Sequence, residues 1–154
     1  MTEESLLTEE LRGLIGKTTT PGLGRITRKG VARATEVYYG KPLTGLNDGD
    51  IVPGVALAAI ETEAEGFQTP NVMPNSVLVS NEWEFLRPLR MGEELSAQTR
   101  LADISERFGG RFGYSLYFRT DVEFRDSTGE LVARSSNTLM QYDAKNARSG
   151  GEDE

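Results

Sequence analysis

Carboxylates, arginines and aromatics carry whatever chemistry this sequence can do, because its 154 residues include no histidine and no cysteine. That excludes a Ser-His-Asp triad, a thiol nucleophile and a conventional zinc site. Acid–base work would fall to Asp, Glu, Lys or Tyr, with pKa values drawn toward neutrality by burial. Asp48 and Asp50 sit two apart in a Gly-rich loop, either as a carboxylate pair or as solvated turn residues. Glu61 and Glu63 lie on a predicted apolar helix, as a functional carboxylate or as its polar face and C-terminal end. Arg87 and Arg90 flank a turn, with Lys41, Arg111 and Arg119 elsewhere. Guanidinium groups suit phosphates, and lone arginines also serve simply as surface. Trp83, Phe85, Tyr114, Tyr117 and Phe118 would line an apolar ligand or form ordinary core.

The elements that must position these groups fit one domain, which at this length buries roughly 70% of its unfolded surface without metal or disulfide. Net charge is −7 and the sequence pI about 4.8. That balance disfavours a general nucleic-acid binder, while leaving room for one phosphorylated small ligand on a local basic patch. The absence of cysteine fits a reducing compartment. No stretch approaches the ~20 apolar residues of a membrane span. The acidic start, MTEESLLTEELRGLIG, lacks the basic opening and apolar run of a signal peptide, so a cytoplasmic location is expected.

Residues 2–15 have helical spacing in Leu6, Leu7, Leu11, Leu14 and Ile15, and Thr8 with Glu9 and Glu10 would start a turn. Residues 16–24 read as loop, 25–28 as a short extended piece, and 29–39 as a helix ended by Gly40 and Pro42. Residues 43–54 are turn-rich. Residues 55–64 predict a short apolar helix entered through Pro53 and Gly54. Then the period changes to two. Val77, Val79, Asn81, Trp83 and Phe85 share a face, and 95–101, 114–124 and 131–139 alternate likewise, with Asp126–Gly129 as a hairpin turn. Helices followed by an antiparallel meander predict an α+β domain, the sheet wrapped around a central α-helix in the hot-dog arrangement. The boundaries expected are an N-terminal helix and loop over 1–24, the domain over 25–143, and a disordered acidic tail over 144–154.

From about Arg25 to Tyr142 the chain resembles MaoC-like hot-dog dehydratases, most of all their fatty-acid-synthase-type branch. The residues that carry the likeness are Arg25–Val31, Val52-Pro53-Gly54, Arg87-Pro88-Leu89-Arg90-Met91-Gly92-Glu93 and Thr128-Gly129-Glu130-Leu131-Val132-Ala133. Active members carry a GDxNPxH loop after the first helix, whose Asp and His add or remove water across the double bond of an acyl thioester. At that place this chain has Gly40-Lys41-Pro42-Leu43-Thr44, with Lys41 where the Asp belongs and Thr44 near the His. Neither can serve as that base near neutral pH.

The resemblance therefore implies the fold and ligand class without the catalytic pair. It implies a non-catalytic, acyl-CoA-binding subunit of a heteromeric enoyl-CoA hydratase or dehydratase. A catalytic MaoC-like partner would hydrate a 2-enoyl-CoA to a 3-hydroxyacyl-CoA, with bulky acyl groups such as steroid side chains as an attractive substrate. No cofactor beyond the coenzyme A thioester itself is implied, no metal, and no nucleic-acid or membrane partner. Arg87, Arg90, Lys41 and Arg111 are the candidates for coenzyme A, and Trp83, Phe85 and Val55 for the acyl pocket. Two alternatives stand beside this reading. One is a homodimeric acyl-CoA thioesterase using Glu61 or Asp48/Asp50, and the other is a non-enzymatic acyl-CoA-binding module.

Overall fold

The computed structural model describes residues 4–147. Thr27 opens the long helix α2 (Arg28–Tyr39) by accepting a hydrogen bond from the Gly30 amide, and Gly40 closes it in the left-handed conformation. The buried positions Gly30, Val31, Ala34 and Thr35 recur at helical spacing and face the sheet. Before it come α1 (Glu9–Arg12) and strand β1 (Gly22–Arg25). After it come β2 (Ile51–Val52), a 3-10 helix (Gly54–Ala59) and β3 (Glu61–Thr62). The second half is the meander: β4 (Asn75–Phe85), β5 (Leu89–Arg90), β6 (Glu94–Arg107), β7 (Ser115–Arg125) and β8 (Leu131–Tyr142).

Six strands form one antiparallel sheet in the order β3-β1-β6-β7-β8-β4, and β2 pairs with β5 at its side. β4 is an edge strand, eleven residues long, with Val77, Leu78 and Val79 all exposed. The sheet carries its apolar residues on one concave face, and the chain covers that face at its two ends. At one end α2 and the 3-10 helix bury Val31, Ala56 and Leu57 against Leu95, Ala97, Phe124 and Ala133. At the other end Leu7, Leu11 and Leu14, with Phe67, Val72 and Met73, lie on Leu101, Ile104, Leu116 and Phe118. Phe118 and Phe124 are an even number of residues apart on β7, so both clusters share one face.

Four expectations change. The apolar helix expected over 55–64 stops at Ala59. Ile60 turns extended, and Glu61 and Thr62 pair with Arg25 and Gly24 of β1. The sheet claims these residues because Gly24 leaves room for them; a Cβ there would sit 2.9 Å from the Ile60 side chain. Of the helix expected over 2–15, residues 2 and 3 lie outside the described residues, and among the described residues only Glu9–Arg12 is helical, started by the Thr8 cap. The single face read for Val77–Phe85 is broken by a register shift between Leu78 and Ser80. Below that bulge Leu78, not Val77, joins the face of Trp83 and Phe85, because one extra residue swaps the alternation. The tail expected from 144 onward begins with a short 3-10 turn (Ala144–Asn146), and residues 148–154 lie outside the described residues.

A candidate acyl-thioester site

The loop after α2 stands where the resemblance puts its Asp/His pair, and its residues are now placed. Buried Thr35 hydrogen-bonds back to the Val31 carbonyl at 2.8 Å and accepts from the Leu43 amide at 2.8 Å, so it ties the loop to the helix end. Lys41 and Thr44 are exposed on that loop. The loop's foot is closed by Arg28, which donates to the Leu46 carbonyl at 3.3 Å and to Asp48 at 2.9 Å. Asp50 accepts from the Asn47 amide at 2.8 Å. Both aspartates thus act as turn residues with partners.

The basic candidates do not form one patch. Arg87 is bound by Glu93 and lies 3.4 Å from Asp126. The hydrogen bond it donates to Glu93 raises its pKa further, and Asp126 is lowered by its bond from Thr128. Arg87 therefore pins the β4–β5 turn to the β7–β8 hairpin, with its charge already met by two carboxylates. Arg90 is exposed and donates to the Gly49 carbonyl at 2.9 Å, which leaves most of its five donors free. Arg111 sits on the β6–β7 hairpin, 5.8 Å from the Phe112 ring centroid. β6 alone, at about 3.3 Å per residue, puts that hairpin some 40 Å of strand from the Arg90 turn. Arg119 lies on the opposite, convex face, donating to Asp121 at 3.2 Å. Arg28 was missed by sequence reasoning. With Arg90 it brackets the 46–50 loop, and only the fold of that loop reveals the pairing.

The aromatic candidates gather better. Trp83 and Phe85 stack with ring centroids 6.3 Å apart and planes within 7°. The Phe85 ring lies on Gly54, where an added Cβ would approach it to 2.8 Å, and half-buried Val55 follows in the 3-10 helix. Trp83 is half-buried against the α2 cluster rather than enclosed in it. Tyr114 and Phe118 belong to the opposite cluster. Tyr117 pairs with Met140 and Ser105, on the convex side. Glu61 is exposed on β3 and lines a cleft of about 520 Å³ with Arg25, Thr27, Glu63 and Glu94. β3 and β4 are opposite edges of the sheet, so Glu61 and the Trp83–Phe85 pair lie five strand spacings apart along it. Among the described residues no acidic group is arranged to hold a metal ion, and no helix is long and apolar enough to cross a membrane.

What the arrangement offers is an aromatic wall of Trp83 and Phe85 on a curled sheet, and a loop after α2 that exposes Lys41 and Thr44. The model of the FAS1-like dehydratase domain region matches residues 44–135. No curated protein matches the sequence. Among solved structures, the 3R-hydroxyacyl-ACP dehydratase complex HadBC of Mycobacterium tuberculosis superposes with a TM-score of 0.58 at 20% identity, over 82% of this chain and 96% of that one. The ChsH1-ChsH2 complex of the same organism gives 0.56 at 12% identity, over 92% and 90%. A MaoC-like dehydratase of Rhodospirillum rubrum gives 0.53 at 15%, over 88% and 94%. At these identities the likeness is one of fold, the MaoC-like hot-dog.

Proposed function

This chain belongs to the FAS1-like dehydratase domain-region family, and from that premise we propose that it is the non-catalytic subunit of a heteromeric enoyl-CoA hydratase or dehydratase. One observation carries the reading. The loop that follows α2 is folded and anchored through Thr35, yet presents Lys41 and Thr44, in a chain with no histidine anywhere. A hot-dog partner would supply the Asp and His that add water to a 2-enoyl-CoA. That two of the similar structures are two-component complexes supports this pairing. The present chain would contribute the Trp83–Phe85–Val55 wall to the acyl group and Arg90, with Lys41, to the phosphates of coenzyme A. Arg87 is left to hold the turn. Bulky acyl groups, steroid side chains among them, suit a subunit whose concave face is short of helix.

Two expressions test the proposal. The chain alone should show no hydration of crotonyl-CoA or longer 2-enoyl-CoAs above background. Co-expressed with a GDxNPxH-bearing hot-dog protein encoded beside it, it should co-elute as one species that is active. Turnover by the lone chain, abolished by a substitution at Glu61 or Asp48, would instead establish the thioesterase-like alternative or a self-sufficient enzyme.

A further inference from the structure

The middle of the concave face is bare, and its floor is polar. Pairing across the sheet sets Leu101, Thr120, Asn137 and Asn81 in one row. The next row toward α2 contains Thr99, Val122, Ser135 and Trp83, and the next row away contains Ile104, Phe118, Leu139 and Leu78. Asn137 and Leu139 belong to β8, which has strands on both sides, and both are still only half-buried. Phe118 beside Leu139 is 1% exposed and Ala133 at the far end is 0%. A half-open side chain in mid-sheet means the chain's own cover stops short of it. It stops because the 3-10 helix ends at Ala59, while the opposite cover reaches Leu101 on β6 but only Phe118 on β7, which leaves the β7–β8–β4 part of the row open.

Among the described residues, the side chains of Thr120, Asn137 and Asn81 make no hydrogen bond within the chain, and none has an atom that is both buried and unpartnered. They offer two carboxamides and a hydroxyl to the open groove. Apolar side chains stand on both sides of this strip, Trp83 and Val122 toward α2 with buried Ser135 between them, and Leu139 and Leu78 away from it.

We propose that this row selects an acyl group bearing hydrogen-bonding oxygen, a hydroxyl or a ketone, in the middle of its apolar length. The inference rests on the reading above, that the groove takes the acyl part of a thioester. A plain hydrocarbon laid across Asn137 would strip water from its amide and return nothing, which opposes the gain from burying methylenes. An oxygenated chain replaces the lost water while its apolar stretches meet Trp83 on one side and Leu139 on the other. Sites built to hydrogen-bond a substrate group reject the analogue lacking it more strongly than apolar pockets reject an added one.

Calorimetric titration of the full chain, in the assembly that purifies with it, decides the matter. The probes are dodecanoyl-CoA and a positional series of hydroxydodecanoyl-CoAs. One mid-chain isomer should bind about tenfold tighter than the plain thioester. Asn137→Leu should bring the two within about twofold, weakening the hydroxylated ligand and tightening the plain one. Thr120→Val, nearly unchanged in shape, should move the ratio the same way by less, and guards against misfolding of the leucine variant. Equal affinity for plain and hydroxylated chains, or a ratio untouched by both variants, overturns the inference and leaves the acyl-thioester reading standing. Failure of every thioester to bind overturns both. Variants that loosen the assembly without changing the ratio would show that the partner's side chains fill the row, which also overturns it.

Discussion

At the Phe124 end of the concave face a helix and a 3-10 helix lie on the sheet; at the Phe118 end two mostly irregular stretches do, one of them holding the single-turn α1. Helical backbone satisfies most of its own N–H and C=O groups, so the first cover needs only apolar fit. Glycine provides that fit: a Cβ on Gly30 would meet the Ala59 carbonyl at 2.8 Å. The second cover has little ladder of its own, and its backbone groups must be answered by side chains. Gln141 answers three of them. Its oxygen accepts from the Val72 and Met73 amides at 3.0 and 3.1 Å, and its nitrogen donates to the Pro70 carbonyl at 2.7 Å. Tyr114 answers a fourth, accepting from the Leu6 amide at 2.9 Å while donating to Glu106 at 2.5 Å. One end is therefore held by shape, the other by named polar pins.

The contrast sets an order of effects. Leu57→Ala, on the 3-10 helix of the helical cover and 1% exposed, should cost about 3 kcal/mol in denaturant-monitored stability through lost transfer energy and a cavity. Gln141→Leu keeps apolar bulk but orphans three backbone groups, and should cost about 2 kcal/mol, with faster hydrogen exchange confined to residues 70–73. The reverse ranking would break the distinction between the two ends.

Tyr114→Phe should have the smallest effect, about 1 kcal/mol near neutrality, and a pH signature that sharpens the comparison. Hydrogen bonds from Ser5 and Tyr114 hold the Glu106 carboxyl below its ordinary range. Burial, then the bond to Glu106, raises the Tyr114 phenol. A lowered carboxyl stabilises above its unfolded pKa and loses that contribution as pH falls through the folded one. A raised phenol stabilises below its unfolded pKa and loses that contribution as pH rises through the folded one. The Tm gap between wild type and Tyr114→Phe should thus be widest from roughly pH 5 to 9 and close on acidification below the carboxyl's usual range. A gap that is flat with pH would mean the pin is packing, not charge-assisted bonding.

The sequence showed most of α2 through its stop at Gly40 and Pro42, and the long strands through alternation, because those signals are local; the Thr27 cap, which starts the helix at Arg28, it did not show. It did not show the bulge at Val79, which depends on how β4 meets β8 and has no composition of its own. Nor did it show that Ile60 leaves its helix. Pairing with β1 outweighed the helical look of an Ala-rich run. Leu7, Leu11 and Leu14 were correctly apolar but serve as anchors of a mostly non-helical segment. At the site, residue types were legible and partnerships were not. Arg87 reads as a free cation until folding brings Asp126, 39 residues away, to its side.

The edge of β4 bears on how a cell must handle the newly made chain. Eleven residues with unpaired backbone groups on one side, studded by Val77, Leu78 and Val79, form a template that other strands can add to. A copy released without company is exposed to proteases and to clumping with its siblings. The kink at Val79 tempers that hazard, since stacked identical strands need an even ladder and this one skips a step. The edge is open to a strand that can follow its twist and awkward for indiscriminate growth.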